Sequence, residues 1–399
     1  MSRPRLLLLS SEFPPGPGGI GAHAHQLARH LTRLGWAVDV VAPQSYVSAA
    51  ARDAFNRAQP FDVTPLPERG RGLWWVDRLR LVSGIVRDRR PDALVATGQR
   101  ALWLAAVVAV RHRLPWLAVG HGSEFQTRPV ARRLTRAALE RAGVVVAVSD
   151  YTAGLIRDAA RPRRLVVIPN AADGERYRPA AGPVEARREL GLEGRRVLLT
   201  VGQVGERKAQ DVVIRALPRV VAACPDALYV MVGLPRREAE FAALAAELGV
   251  ADHVRFAGMA SDDALLRTYQ AADLFVLVSR RTAGGDVEGY GIVVQEAALC
   301  GLPAVVSQGC GLTEAIQEGV TGVSVPPDDP EATATAIIGL LRDDARRAAM
   351  GCQALELAAR ATWAERVAEY EALLRELAQV DAGEQGSRGA GGQRIAAAD

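Results

Sequence analysis

Arg196-Val197-Leu198-Leu199-Thr200-Val201-Gly202 runs into Gln203-Val204-Gly205-Glu206-Arg207-Lys208 and then into an amphipathic segment. A leucine- and valine-rich run, a glycine-bearing loop and a helical pattern make the repeating unit of a parallel sheet. The same unit opens the chain. Residues 6–10 form an apolar run, residues 11–21 a loop containing four glycines, and Leu27, Leu31 and Leu34 then fall on one helical face. Further strand candidates follow the first unit at 38–42, 93–97, 116–120, 144–148 and 166–169, and the second at 228–233, 254–256, 274–279, 303–307 and 322–325. The stretch 179–194, rich in alanine, glycine and charge, separates the two series. This pattern predicts an α/β protein of two doubly wound, Rossmann-like domains, with residues 1–180 in the first and 181–362 in the second. A last helix over 363–378 and a disordered tail over 379–399 complete the expected layout.

Composition narrows the function. The chain has 399 residues, 49% of them hydrophobic and 24% charged, which excludes a disordered, collagen-like or disulfide-stapled protein. The apolar run 101–110 ends in Arg111-His112-Arg113, too short to cross a bilayer. The apolar stretch 6–9 is too short for a signal peptide, so the expected location is cytoplasmic, with peripheral contact at the inner membrane face left open. Cys224, Cys300, Cys310 and Cys352 lack metal spacing and read as reduced thiols.

The net charge of +4 hides an asymmetry. Residues 1–180 hold 27 arginines, no lysine and 14 acids, a balance of +13, whereas the remainder stands at −9. The front half therefore favours an anionic partner. Without a zinc-finger spacing, an RNA-binding signature or a basic tail, a phosphorylated small molecule or an anionic lipid surface fits better than nucleic acid. Trp75, Leu79, Val82 and Val86 recur at helical spacing among Arg78, Arg80, Arg87, Arg89 and Arg90, and a second basic segment holds Arg128, Arg132, Arg133, Arg136 and Arg141. Such segments either pack an apolar stripe on the sheet or dock to a lipid or a phosphorylated acceptor.

Ligands of open α/β sheets sit beyond the carboxyl ends of the strands, so four loops draw the functional reading. In the first, residues 16–21 match G-x-G-x-x-G, the dinucleotide fingerprint. Five residues intervene between Ser10 and Gly16, however, and Ala42-Pro43-Gln44 stands where a ribose-binding acid belongs. Gly18 and Gly19 read better as letting backbone N–H groups approach a phosphate at a helix start. The second loop, His121-Gly122-Ser123-Glu124, brings an imidazole that suits a sugar hydroxyl or a reacting centre. The third holds Arg207 and Lys208. Lys208 is the sole lysine of the chain, so a compact ammonium is needed where arginine serves everywhere else. The two cations would neutralise a diphosphate leaving group without a metal, and no Asp-x-Asp element is present to hold one. In the fourth loop Glu288 precedes a helix whose first turn, Gly291, Ile292 and Val293, offers free N–H groups to a phosphate, and Glu296 lies within reach of a ribose hydroxyl. Capping acids or a glycosidase pair are the alternatives for the two glutamates.

Together these residues resemble the retaining GT-B glycosyltransferases of the family 4 type, which include phosphatidylinositol mannosyltransferases and sugar transferases of antibiotic pathways. The resemblance spans about residues 5–375. It rests on Phe13-Pro14-Pro15 with Gly18-Gly19-Ile20-Gly21, on His121-Gly122-Ser123-Glu124, on Val148-Ser149-Asp150-Tyr151-Thr152, on Ile168-Pro169-Asn170 with Asp173, on Arg207-Lys208-Ala209-Gln210-Asp211, and on Glu288 and Glu296 eight residues apart. It implies a nucleotide diphosphate sugar held by the second domain and an acceptor on the first, facing each other across a cleft, with no cofactor. It also implies a final helix that crosses back to the first domain. The resemblance places Gly19 and the Gly291–Val293 turn at phosphates, Lys208 at the diphosphate, Glu296 at ribose, Glu288 at the sugar hydroxyls and His121 beside the sugar. Two departures stand out: Gln203 replaces the usual diphosphate-binding arginine, and Ala209 the usual glycine after the lysine. The stretch 286–289 leans to GDP-mannose, with UDP-glucose and UDP-N-acetylglucosamine also open. A nicotinamide-dependent oxidoreductase using residues 16–21 and a non-catalytic sugar-nucleotide-binding protein are the rival readings.

Overall fold

The computed structural model describes residues 3–67, 74–125, 129–180 and 182–390. Seven strands form the first sheet: β1 (Arg5–Ser10), β2 (Ala37–Ala42), β3 (Asp62–Pro65), β4 (Ala93–Thr97), β5 (Trp116–Gly120), β6 (Val144–Ala147) and β7 (Leu165–Val167). Their spatial order is β3-β2-β1-β4-β5-β6-β7, and every pairing is parallel. The second sheet contains β8 (Arg196–Val201), β9 (Ala227–Val232), β10 (Val254–Gly258), β11 (Leu274–Leu277), β12 (Ala304–Ser307) and β13 (Gly322–Val325). It is also wholly parallel, in the order β10-β9-β8-β11-β12-β13. Both sheets reverse their order beside the first strand of each half, between β1 and β4 and between β8 and β11. A ligand crevice belongs at each of these places.

The strands read as continuous apolar runs because helices cover both faces of each sheet. Leu6, Leu7, Leu8 and Leu9 are all buried, as are Val197, Leu198 and Leu199. Each such side chain contributes about 1.5–3 kcal/mol relative to exposure. The helix Trp74–Arg89 buries Val82 and Val86 against this core, and its Arg78, only 5% exposed, donates from Nη2 to the Pro67 carbonyl at 2.7 Å. The stripe therefore packs on the sheet and Arg78 does not face a lipid surface. Arg128 and the residues 68–73 that precede this helix lie outside the described residues.

Three boundaries differ from expectation. β3 escapes sequence reading because Asp-Val-Thr-Pro has no apolar alternation and ends in proline, as suits a short edge strand. Within the expected linker, Pro183–Glu189 forms a helix that packs on the second half through buried Ala186 and through Arg187, paired with Asp273 at 2.7 Å. The last helix runs from Trp363 to Ala390, past the expected end at 378, with no proline to stop it. Residues 391–399 of the expected tail lie outside the described residues. This helix lies against the first sheet's domain, where Tyr370 meets His23 and Arg164 pairs with Glu376 at 2.7 Å.

Candidate functional site

The loop after β8 makes a single tight turn, Glu206–Lys208, before the helix Gln210–Ala223. Ala209 links the two in the left-handed region, at φ 52° and ψ 38°. A Cβ on Gly202 would meet the Lys208 Cε at 2.8 Å, so that glycine allows the lysine stem to lie along the strand end. Lys208 thereby becomes buried, 8% exposed, and its Nζ donates to Glu288 Oε2 at 2.6 Å. Arg207 donates from Nη1 to the same oxygen and pairs through Nε with Asp286 at 3.3 Å. Burial alone would raise the Glu288 carboxyl, but Arg207 and Lys208 outweigh it and hold the pKa at about 2. Burial also pulls Lys208 below the ordinary lysine value, against the opposing pull of Glu288. Gln203 is exposed in the same loop, where its carbonyl accepts from Gln210 Nε2 at 3.1 Å.

β5 ends at Gly120 and delivers His121 opposite this cluster. Its Nε2 lies 2.6 Å from Thr97 Oγ1 at the end of β4, and its backbone N–H donates to both Glu124 carboxylate oxygens, at 3.1 and 3.0 Å. Burial depresses the imidazole to about 3, so it is neutral at physiological pH. Burial likewise pushes the fully enclosed Glu124 carboxyl up to about 7, although the backbone N–H bonds oppose this.

The Glu288 loop rests directly on the His121 loop. A Cβ added to Gly289 would stand 1.8 Å from the His121 carbonyl, and one on Gly122 3.2 Å from the Gly289 Cα. Only glycines permit that approach. The Gly289 carbonyl accepts from Ser149 Oγ at 2.6 Å and from Thr152 Oγ1 at 3.3 Å. Glu314 completes the contact, taking the free N–H groups of Asp150 and Tyr151 at 2.7 and 2.6 Å where the helix Asp150–Ala159 begins. Three motifs scattered along the sequence thus form one junction between the halves.

The two glycine-opened helices differ. Helix Gly19–Arg33 follows Gly18 at φ 151°, and Glu12 Oε1 accepts from Ile20 N–H at 2.9 Å and Gly21 N–H at 3.2 Å. Part of the expected phosphate seat is thus taken by a carboxylate of the chain itself. Burial raises the Glu12 pKa, opposed by these amides and by the nearby Arg207 charge. Helix Ile292–Leu299 follows Gly291 at φ 82° and bears Val293 in its first turn. One turn further in, Glu296 is buried, and its Oε2 accepts from the Tyr269 hydroxyl at 2.7 Å.

Sequence reading brought forward Arg207, Lys208, Glu288 and His121, which the fold gathers at one junction. It missed Thr97, Glu12, Tyr269 and Glu314. Thr97 alone had a usable signal, a hydroxyl at the carboxyl end of a predicted strand. Among the described residues, no group of three or more His, Cys, Asp or Glu stands placed to hold a metal, and no helix is long and apolar enough to cross a membrane.

Comparison with known proteins fits this geometry. Residues 17–176 match the model of Glycosyltransferase Family 4 and residues 184–356 that of Glycosyl transferases group 1. A GDP-mannose-dependent alpha-(1-6)-phosphatidylinositol monomannoside mannosyltransferase of Mycolicibacterium smegmatis is 32% identical over 357 residues, covering 87% of this chain and 91% of the relative. This chain belongs to glycosyltransferase family 4. A D-inositol 3-phosphate glycosyltransferase of Geodermatophilus obscurus is 30% identical to this glycosyltransferase, over 90% of the chain and 86% of the relative. Its fold is that of the Anabaena protein HepE in complex with UDP-glucose, with a TM-score of 0.77 at 21% identity over 92% of this chain and 99% of that one. Sucrose-phosphate synthase from Thermosynechococcus elongatus aligns equally, with a TM-score of 0.77 at 21% identity over 94% and 99% of the two chains. The glycosyltransferase therefore has the GT-B architecture, and membership of this family sets aside the oxidoreductase reading of residues 16–21.

Proposed function

We propose that this glycosyltransferase moves a hexose from a nucleotide diphosphate sugar, GDP-mannose foremost, to a phosphate-bearing acceptor, with retention of configuration and without a metal ion. The observation that carries the reading is the single Glu288 oxygen held by both Lys208 and Arg207 at the junction of the two domains. Two cations at that place supply the charge that a departing diphosphate needs. Glu288, ionised far below neutrality, is acceptor-only. It would hold sugar hydroxyls by accepting their hydrogen bonds and cannot serve as the acid. Neutral His121 would hydrogen-bond the sugar beside the reacting carbon. The amides at Gly18, Gly19 and Gly291–Val293 would meet phosphate oxygens, Gln203 would border the diphosphate, and Glu296 the ribose.

Retention follows in this reading from front-face exchange. The bond from the anomeric carbon to the diphosphate oxygen breaks, the acceptor oxygen bonds to the same face, and the acceptor proton passes to the departing phosphate oxygen. The donor preference is supported by the GDP-mannose-dependent relatives. A cavity of about 290 Å³ in the first domain, lined by Ser10, Ser11, Trp75, Arg78 and Arg100 among others, supports an anionic acceptor. So do the phosphatidylinositol and inositol phosphate named for the relatives. Such an acceptor implies action at the cytoplasmic membrane face for a lipid or in the cytoplasm for a free phosphate.

The test is a thermal-shift series with GDP-mannose, UDP-glucose, UDP-N-acetylglucosamine and ADP- and TDP-glucose. A ligand at a hundred times its Kd stabilises by about 2.7 kcal/mol. GDP-mannose is expected to give the largest shift, and transfer to a phosphorylated inositol is expected to give an α-linked product by NMR. No stabilisation by any sugar nucleotide refutes the donor site, and a β-linked product refutes retention.

A further inference from the structure

One buried polar group has no part in the scheme above. His23, in the second turn of helix Gly19–Arg33, is 1% exposed, and its Nε2 lies 3.0 Å from the hydroxyl of Tyr370 on the last helix. Its Nδ1 is buried without a hydrogen-bond partner. Leaving such a group unpaired is costly, and a phenylalanine would fill similar space without that cost. The ring nevertheless occupies a particular place. Its centroid lies 4.9 Å from that of His121, edge to face at 80°, and 5.2 Å from Trp363, which opens the last helix. Trp363 also stacks on His30 at 6.2 Å, and Tyr370 is itself buried. On its other side His121 is fixed by Thr97 at 2.6 Å. The His121 imidazole is therefore gripped between a strand-end hydroxyl and a histidine that the final helix holds.

We infer that His23 is a positioning residue for His121, and that Tyr370 and Trp363 hold it so that the helix returning from the second domain sets the orientation of the imidazole at the reacting face. The inference rests on the proposed place of His121 beside the sugar. Its geometric content is independent of the donor. A helix that begins where the second domain ends and grips the first-domain histidine couples the relation of the two halves to the chemistry. Only an assembled chain presents His121 in its working plane, and misplacement of a reacting group by about 1 Å is enough for a hundredfold loss.

Tyr370→Phe removes one hydroxyl and leaves the packing, and His23→Phe keeps the volume and removes both ring nitrogens. Histidine-selective ¹⁵N spectra of the full chain give the first readout, with the His121 signals identified by their loss in His121→Gln. Both variants are expected to shift the His121 ring signals while those of His112 and His253, which lie on other elements, stay in place. The second readout is hydrolysis of GDP-mannose. Tyr370→Phe is expected to lower kcat about tenfold with KM unchanged, and the loss is expected to vanish in a His121→Gln background. Unmoved His121 signals in both variants overturn the inference, as does an equal kcat loss with and without His121, which marks a structural role. If the wild-type chain neither binds nor hydrolyses any sugar nucleotide, the proposed function fails and the spectra alone decide the coupling.

Discussion

The two glycine-opened helices facing the cleft make an instructive pair. Each starts just after a glycine with positive φ, Gly18 at 151° and Gly291 at 82°, in a loop beyond a strand end. In the first domain Glu12 folds back onto two of the freed amides. In the second, the residues before the helix bring Glu288 onto Lys208 and Arg207. Glycine makes amides accessible in both, but the neighbouring charges decide whether the chain or a ligand uses them. A glycine pattern read alone puts the first site ahead, since it fits the familiar fingerprint better, whereas the neighbouring charges favour the second.

The sharpest way to break this contrast is to take apart the pair of Lys208 and Glu288. Lys208→Ala and Glu288→Ala are each expected to lower turnover at least about a hundredfold, the size of a lost transition-state charge contact. Lys208→Arg is expected not to rescue, because a planar fork does not reproduce the compact ammonium that is buried here on Glu288 Oε2. Burial places the Lys208 pKa below the ordinary lysine value. In the proposed reaction only the protonated ammonium can serve the diphosphate, so wild-type kcat is expected to fall on the alkaline side earlier than a free lysine would dictate. Steady-state rates across pH check both points, and near-normal rates in both alanine variants would remove the second helix start from the donor site.

The corresponding change on the first helix start should be much milder. Glu12→Ala removes a helix-capping carboxylate, for which a loss of about 1 kcal/mol in stability is expected. Turnover is expected to fall less than about tenfold, since the proposed reaction places the transition-state charge on the second domain. Denaturant unfolding and steady-state kinetics of the same variant separate the two effects. A hundredfold loss of turnover would put Glu12 and its glycine loop on the same footing as Lys208, and the contrast between the helices would be gone.

How much of this was legible depended on whether the signal was local. Strands such as Leu6–Leu9 announce themselves because burial on both faces demands an uninterrupted apolar run. Asp62–Pro65 does not, since an edge strand escapes that demand. Lys208 was legible through its uniqueness, a compositional oddity with a chemical meaning. Tyr370 was not, because it meets His23 across 347 positions and nothing in either neighbourhood encodes the pairing. Glu12 lay in plain view beside the glycines, yet its role depends on a loop geometry that brings it back onto amides eight and nine residues ahead.

Ala209 offers the finest test of the contrast, because it is the point where the Lys208 loop lacks a glycine that its backbone conformation favours. Its φ of 52° lies in the left-handed region, and the residue is buried. An L-residue there carries roughly 1–2 kcal/mol of strain, while a glycine loses an extra 0.5–1 kcal/mol, roughly, of chain entropy on folding. With the loss of a buried methyl, about 0.8 kcal/mol, set against this, Ala209→Gly is expected to stabilise by no more than about 1 kcal/mol and to leave the melting temperature unchanged or raise it by up to roughly 4 °C. Ala209→Val adds β-branching at the same φ and is expected to lower it. If glycine lowers the melting temperature and valine leaves it unchanged, the turn that seats Lys208 does not hold this conformation in solution. The burial of the lysine beside Glu288 would then need another cause.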